Sequence, residues 1–253
     1  MHGEFHWLAG FYDGGFGLDE ARVVVLPMLP SRAATTATSP RERDAVQERY
    51  GLPGDFLFYP AQFWPHKNHL RLIESLAILR DDHGLEPTLV LVGSNRNSLR
   101  KRTFAEVMRR VGELGLERRV LYLGEVPDQD LPALYDLSMA LVMPTFFGPT
   151  NIPILEAFLR GCPVVTSDIR GLRDQSGGGA VLVDPRSPQD MAAGIGTVLA
   201  DSGRRAELVA RGRELSASYG PSEYGKILSA ALSTVKDRIS SGETRIRPLT
   251  ARR

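Results

Sequence analysis

A doubly wound α/β domain built on a parallel sheet is the fold class this sequence predicts, and three observations predict it. Short β-branched runs alternate with helical stretches along most of the chain, those runs are continuously apolar, and the helical stretches stop at glycines such as Gly84 and Gly161. The alternating order selects a parallel sheet with crossover helices. Strands covered on both faces lose the apolar-in, polar-out alternation of a half-exposed sheet.

Taken in order, the strand-like runs are RVVVLP (22–27), FLFYPA (56–61), TLVLVG (88–93), RVLYLG (119–124), MALVMP (139–144), PVVTS (163–167) and AVLVDP (180–185). The stretch HLRLIESLAILRDDHG places Leu70, Ile73, Leu76, Ala77 and Leu79 at helical spacing and stops at Gly84. After Pro185 the pattern is helical throughout. SPQDMAAGIGTVLAD opens with Ser187 as a cap and Pro188 at the first helical position, and SGRRAELVARGRELSASYG and PSEYGKILSAALSTVKDRI follow. PSRAATTATSPRERD (30–44) has the composition of a mobile loop, and SSGETRIRPLTARR that of a solvated basic tail. SGGGA (176–180) leads into a strand rather than a helix and reads as a turn, not a phosphate loop.

Composition narrows the function. With 253 residues, 42% of them hydrophobic and 24% charged, the chain has the makeup of a soluble globular protein. Its net charge of +1 gives no reason to expect nucleic acid, so a small ligand is the better expectation. The single cysteine, Cys162, cannot form an internal disulfide and reads as a small buried hydrophobe. No apolar run reaches the about 20 residues of a membrane span, and MHGEFHW lacks the plan of a signal peptide, so the cytoplasm is the expected location.

Ligands of an open parallel sheet bind outside the carboxyl ends of its strands. Two loops there carry the polar residues. In YPAQFWPHKNH the strand gives way to Gln62, His66, Lys67 and Asn68 ahead of a helix; in FFGPTNIPILEAF, Gly148, Thr150, Asn151 and Ile152 lead into a helix bearing Glu156. Unpaired amides and the positive dipole end make a helix start an anion site, so a lysine on one side and amides on the other can clamp a diphosphate. Glu156 can then accept from a sugar diol. Each residue alone also has a plainer reading: Lys67 as a solvated lysine, Glu156 as a dipole partner, His66 and His69 as loop or capping residues rather than a metal pair.

From about Arg22 to Ile239 the chain resembles the C-terminal, nucleotide-sugar-binding domain of retaining GT-B glycosyltransferases, glycosyltransferase family 4, also called glycosyl transferases group 1. FLFYPAQFWPHKNHLRLIESLAIL, TLVLVGS, VLYLGEVPDQDLPALYDLSMALVMPTFFGPTNIPILEAFLRGCPVVTSDIRGL and AVLVDPRSPQDMAAGI carry the resemblance by their order and spacing. It implies that Lys67 meets the donor diphosphate, that Thr150, Asn151 and Ile152 supply amides, that Glu156 binds the ribose, and that Gly124, Glu125 and Val126 lie beside the base. It further implies a nucleoside diphosphate sugar as donor, with no metal and no further cofactor, and as acceptor a glycan or a lipid-linked sugar, in cell-surface polysaccharide assembly at the inner membrane face. Two positions depart from the family's pattern. The earlier of its two glutamates falls at Gly148, and an arginine ahead of the lysine falls at Gln62, where His66 is left to supply charge.

The domain expectation is a remnant or linker over 1–21, the donor-binding domain over 22–239 and a tail over 240–253. The acceptor domain of a GT-B enzyme is then largely missing. A separate acceptor-domain chain or self-association would complete it, covering Ile227, Leu228, Ala231 and Leu232; the alternative is a catalytically silent nucleotide-sugar-binding module.

Overall fold

The computed structural model describes residues 24, 26, 28–148, 151–217 and 220–242. Two compact units divide the chain, Pro30–Ala217 and Met1–Leu29 with Ser218–Arg253.

The unit Pro30–Ala217 is built on six parallel strands, β1 (Phe56–Pro60), β2 (Thr88–Val92), β3 (Val120–Tyr122), β4 (Ala140–Met143), β5 (Val164–Ser167) and β6 (Ala180–Val183), in the order β3-β2-β1-β4-β5-β6. Pairing runs in one unbroken register through the middle, with Phe58 of β1 opposite Val90 of β2 and Leu141 of β4. Phe56, Leu57, Phe58 and Tyr59 are all buried, as are all four residues of β4, which is why these runs carry no polar alternation. Of the expected strand over 22–27 only Val24 and Leu26 are described, neither in a strand, and the rest lies outside the described residues.

Helices connect the strands: α1 (Pro40–Tyr50), α2 (His69–His83), α3 (Ser98–Glu113), α4 (Leu131–Leu137), α5 (Ile152–Arg160), α6 (Arg170–Ser176), α7 (Pro188–Ala200) and α8 (Ser202–Ser216). The stop and start signals act as the sequence suggests. Gly84 caps α2 in the left-handed conformation, and Ser187 accepts from the Asp190 amide to cap α7. Helix α2 packs on α3 and α7, and α5 packs on α4 and α8.

Residues 30–44, expected as a mobile loop, are tied down instead. Arg160 Nη1 donates to the Thr36 carbonyl at 2.7 Å and Nη2 to Thr38 Oγ1 at 2.9 Å, while Ser39 and Glu42 form a reciprocal cap on α1. The composition signal failed because Ser and Thr cap and bridge as readily as they solvate. Cys162 is buried beside Ser138, and burial pushes its thiol up to about 12.

In the other unit, α9 (Pro221–Ser240) has Leu232 and Val235 exposed and Ile227, Leu228 and Ala231 half-buried. No helix among the described residues is long and apolar enough to cross a membrane.

Candidate functional site

Strand order reverses between β1 and β4, the two central strands, so the loops leaving their carboxyl ends border the crevice in which doubly wound sheets hold ligands. Both polar loops picked out in the sequence stand here.

The loop after β1 is fixed from below. Tyr59, wholly buried in β1, donates its hydroxyl to the Lys67 carbonyl at 2.7 Å. Asn68 takes up a left-handed backbone, φ 60°, and sends its amide group to the carbonyls of Pro144 at 2.9 Å and Pro185 at 2.7 Å. At 3% exposure with both amide hydrogens spent on these carbonyls, Asn68 ties three loops together. His69 stacks on Phe63 with ring centroids 4.4 Å apart, and burial pushes its imidazole down to about 3. On this base Lys67 extends Nζ to Asn151 Oδ1 at 3.2 Å; burial lowers its pKa. His66 is also lowered, by burial and then by the Lys67 charge, both of which disfavour its charged form.

The loop after β4 is latched to the first: the Phe146 amide donates to the His66 carbonyl at 2.8 Å, and the Thr145 hydroxyl lies 3.0 Å from the same oxygen. Gly148 has φ 154°, and a Cβ there would lie 2.4 Å from Asn151 Nδ2. The Asn151 carboxamide thus occupies the space that a side chain at 148 would need. Its backbone amide, expected to face the ligand, is donated to Gln175 Oε1 at 2.9 Å, and Gln175 Nε2 returns a bond to the Asn151 carbonyl at 2.9 Å. The Ile152 amide, first in α5, has no partner among the described residues. Thr150 lies outside the described residues.

Glu156 sits one turn into α5, 6% exposed. Its Oε2 accepts from the buried Tyr135 hydroxyl at 2.8 Å, and its Oε1 from the Ser31 amide at 3.4 Å. Burial, with the Glu156 charge adding to it, holds the Tyr135 hydroxyl well above its usual range, so it remains a donor. Among the described residues Glu156 has no cationic partner and Lys67 no anionic one. A buried carboxylate without a counterion and a half-buried ammonium held by a neutral carboxamide are costly for folding alone. Groups of this kind are candidates for a ligand site.

The rim continues over β2 and β3. A Cβ on Gly93, φ 147°, would lie 2.4 Å from the Ala61 carbonyl oxygen, so only glycine lets the loops after β1 and β2 touch. The Gly93 amide donates to the Gly124 carbonyl at 2.9 Å, which places the turn of Gly124, Glu125 and Val126 on the same edge. Glu125 pairs with Arg96 at 3.1 Å, and Val126 packs on the core. Gln62 Oε1 accepts from Trp64 Nε1 at 2.9 Å and from Arg100 Nη1 at 2.9 Å.

Tyr59, Tyr135, Gln175, Ser31 and Arg100 went unseen in the sequence. Each acts across the fold, 8 to 125 residues from its partner, and the only signal was a polar tip inside an apolar run for the two tyrosines.

This architecture is that of the C-terminal domain of a GT-B glycosyltransferase. The Rickettsia africae glycosyltransferase crystal structure superimposes with a TM-score of 0.81 at 16% identity, over 92% of this chain and 62% of that one. Anabaena Alr3699/HepE, solved in complex with UDP and glucose, gives 0.70 at 23% identity, over 82% and 55%. The sequence profile of the family "Glycosyl transferases group 1" matches residues 41–215, and the chain belongs to that family. Among relatives, the O-antigen chain mannosyltransferase B of Escherichia coli is 31% identical over 176 residues, 69% of this chain and 45% of that protein. The D-inositol 3-phosphate glycosyltransferase of Salinispora tropica is 32% identical over 212 residues, 79% and 43%. The chain therefore spans less than half the length of these two relatives.

Proposed function

We propose that the unit Pro30–Ala217 is the donor-binding half of a retaining glycosyltransferase of family 4, taking a hexosyl group from a nucleoside diphosphate sugar. The observation that carries this is the pair of uncompensated charges at one end of α5, Lys67 on the diphosphate side and Glu156 on the ribose side. The UDP and glucose bound by Alr3699/HepE support the donor class, and the O-antigen relative supports a glycan or lipid-linked acceptor in cell-surface polysaccharide assembly.

In this reading the diphosphate lies between Lys67 Nζ and the start of α5, where the Ile152 amide and the helix dipole meet it. The acceptor oxygen attacks the anomeric carbon on the face the diphosphate leaves. As the C–O bond to the phosphate breaks, the acceptor's proton passes to a phosphate oxygen. Lys67 and the helix start offset the charge that grows on the leaving group, and no protein nucleophile is needed. Asn151, standing where a residue-148 side chain would, offers its carboxamide to the hexose. A second domain, in the same polypeptide or in a separate chain, places the acceptor; such positioning is worth roughly 7–11 kcal/mol of a barrier.

Calorimetry on Lys67→Ala tests the donor assignment. Loss of a charge-assisted contact, about 1.5–3 kcal/mol, should weaken UDP or GDP about tenfold or more while leaving uridine and guanosine unchanged. Equal diphosphate affinity in the variant would remove Lys67 from the site.

A further inference from the structure

Two arginines near the carboxyl edge of the sheet are neutralised within the protein, Arg96 by Glu125 and Arg173 by Asp168. Arg100, in the first turn of α3, is not. Its Nη1 donates to Gln62 Oε1 at 2.9 Å, its guanidinium carbon stands 5.2 Å from the centre of the Trp64 ring, and it has no carboxylate partner among the described residues. Its Nε is buried without a hydrogen-bond partner. Gln62 in turn is oriented by Trp64 Nε1 at 2.9 Å, so ring, carboxamide and guanidinium brace one another. The brace sits on the loop that carries Lys67, since the Lys67 amide donates to the Trp64 carbonyl at 2.9 Å and the Trp64 amide to the Gln62 carbonyl at 2.8 Å.

A guanidinium braced by a neutral oxygen and a π face keeps its full charge while losing its freedom to move. That is a poor use of arginine for stability and a good one for receiving an anion, because the ordering cost is met before the ligand arrives. Lys67 is held in the same way, by the Asn151 carboxamide. Two cations, Lys67 on the loop after β1 and Arg100 in the first turn of α3, are thus both held by carboxamides and both without carboxylates among the described residues.

We infer that Arg100 is a second cationic ligand of the donor diphosphate, with Gln62 and Trp64 as its positioning residues. This rests on the donor-site reading above and adds a residue to it from a different helix. Nη1 and the π face hold the group, and Nη2, without a partner among the described residues, is the donor left for a phosphate oxygen.

The test is calorimetric titration of the 253-residue chain and its variants with UDP and GDP, and with uridine and guanosine. Arg100→Ala should weaken whichever diphosphate binds by about tenfold, with nucleoside affinity and melting temperature unchanged. Arg100→Lys keeps the charge but not the fork and should recover part of the loss. Gln62→Leu, which frees the guanidinium without removing it, should cost a few-fold and carries the test if Arg100→Ala folds poorly. Native diphosphate affinity in Arg100→Ala and Gln62→Leu, alongside a loss in Lys67→Ala, overturns the Arg100 role and leaves the site standing. Failure of the native chain to bind UDP or GDP, or unchanged affinity in Lys67→Ala and Arg100→Ala alike, overturns both.

Discussion

The two ends of α5 use their charges in opposite ways. At the C-terminal end, Arg160 donates through Nε to Asp136 Oδ1 at 2.7 Å and closes a network with Thr36 and Thr38, both charged side chains nearly buried. A cation there also complements the negative end of the helix dipole. At the N-terminal end, Lys67 meets only a carboxamide and Glu156 only a tyrosine hydroxyl and an amide. One end is a closed circuit that joins residues 36–38 to the body of the fold; the other is an open one, without a countercharge among the described residues. Burial alone does not separate structural from functional charge. What separates them is whether the partner carries the opposite charge.

The largest expected effect tests the closed end. Arg160→Ala leaves Asp136 nearly buried and unpaired and should cost about 3–5 kcal/mol in denaturant unfolding, with affinity for UDP or GDP unchanged in the folded protein. A matching loss of nucleotide affinity would erase the distinction between the two ends.

Acid should undermine the base of the open end. His69 is held near 3 in the folded chain against an unfolded value of about 6.5, so between those limits the unfolded state binds the extra proton. Stability should then fall by about 1.4 kcal/mol per pH unit as pH drops from 6 to 4, over and above the contribution of carboxylates. His69→Phe, which keeps the ring stack, should flatten that slope. An unchanged slope would show that His69 is not the group responsible.

Glu156→Ala sharpens the comparison within the open end. Loss of the acceptor strands the Tyr135 hydroxyl and should cost about 1–3 kcal/mol of stability. Binding of ribonucleotide diphosphates should weaken several-fold, whereas 2′,3′-dideoxy analogues should bind as they do to the native chain. Equal losses for both classes would make the effect one of folding. The smallest change is expected from Gly148→Ala, whose methyl group would run into the Asn151 carboxamide. The backbone strain and displaced amide should lower hexose-dependent affinity by about 1–2 kcal/mol, read as the difference between UDP-sugar or GDP-sugar and the free diphosphate.

Much of this was legible in the chain. Continuous apolar runs marked β1 to β6 because strands covered on both faces leave no polar alternation to confuse the reading, and Gly84, Gly161 and Ser187 marked helix ends through local rules. The loops after β1 and β4 were also legible, since polar residues between a strand and a helix in such a fold fall at the crevice. What each residue does there was less so. Asn68 became a tie between loops and the Asn151 amide a partner of Gln175. These outcomes depend on carbonyls and side chains 24 to 117 residues away, which no local pattern encodes. Residues 30–44 misled for the same reason, their threonines being fixed by Arg160 more than 120 residues on.

The most direct test of the open end is a crystal structure of the chain grown with UDP or GDP. The diphosphate is expected between Lys67 Nζ and the first amides of α5, with the ribose hydroxyls on the Glu156 carboxylate and the Lys67–Asn151 contact opened to admit the phosphates. A nucleotide bound elsewhere, with Lys67 still on Asn151 and Glu156 touched only by Tyr135 and Ser31, would contradict the account.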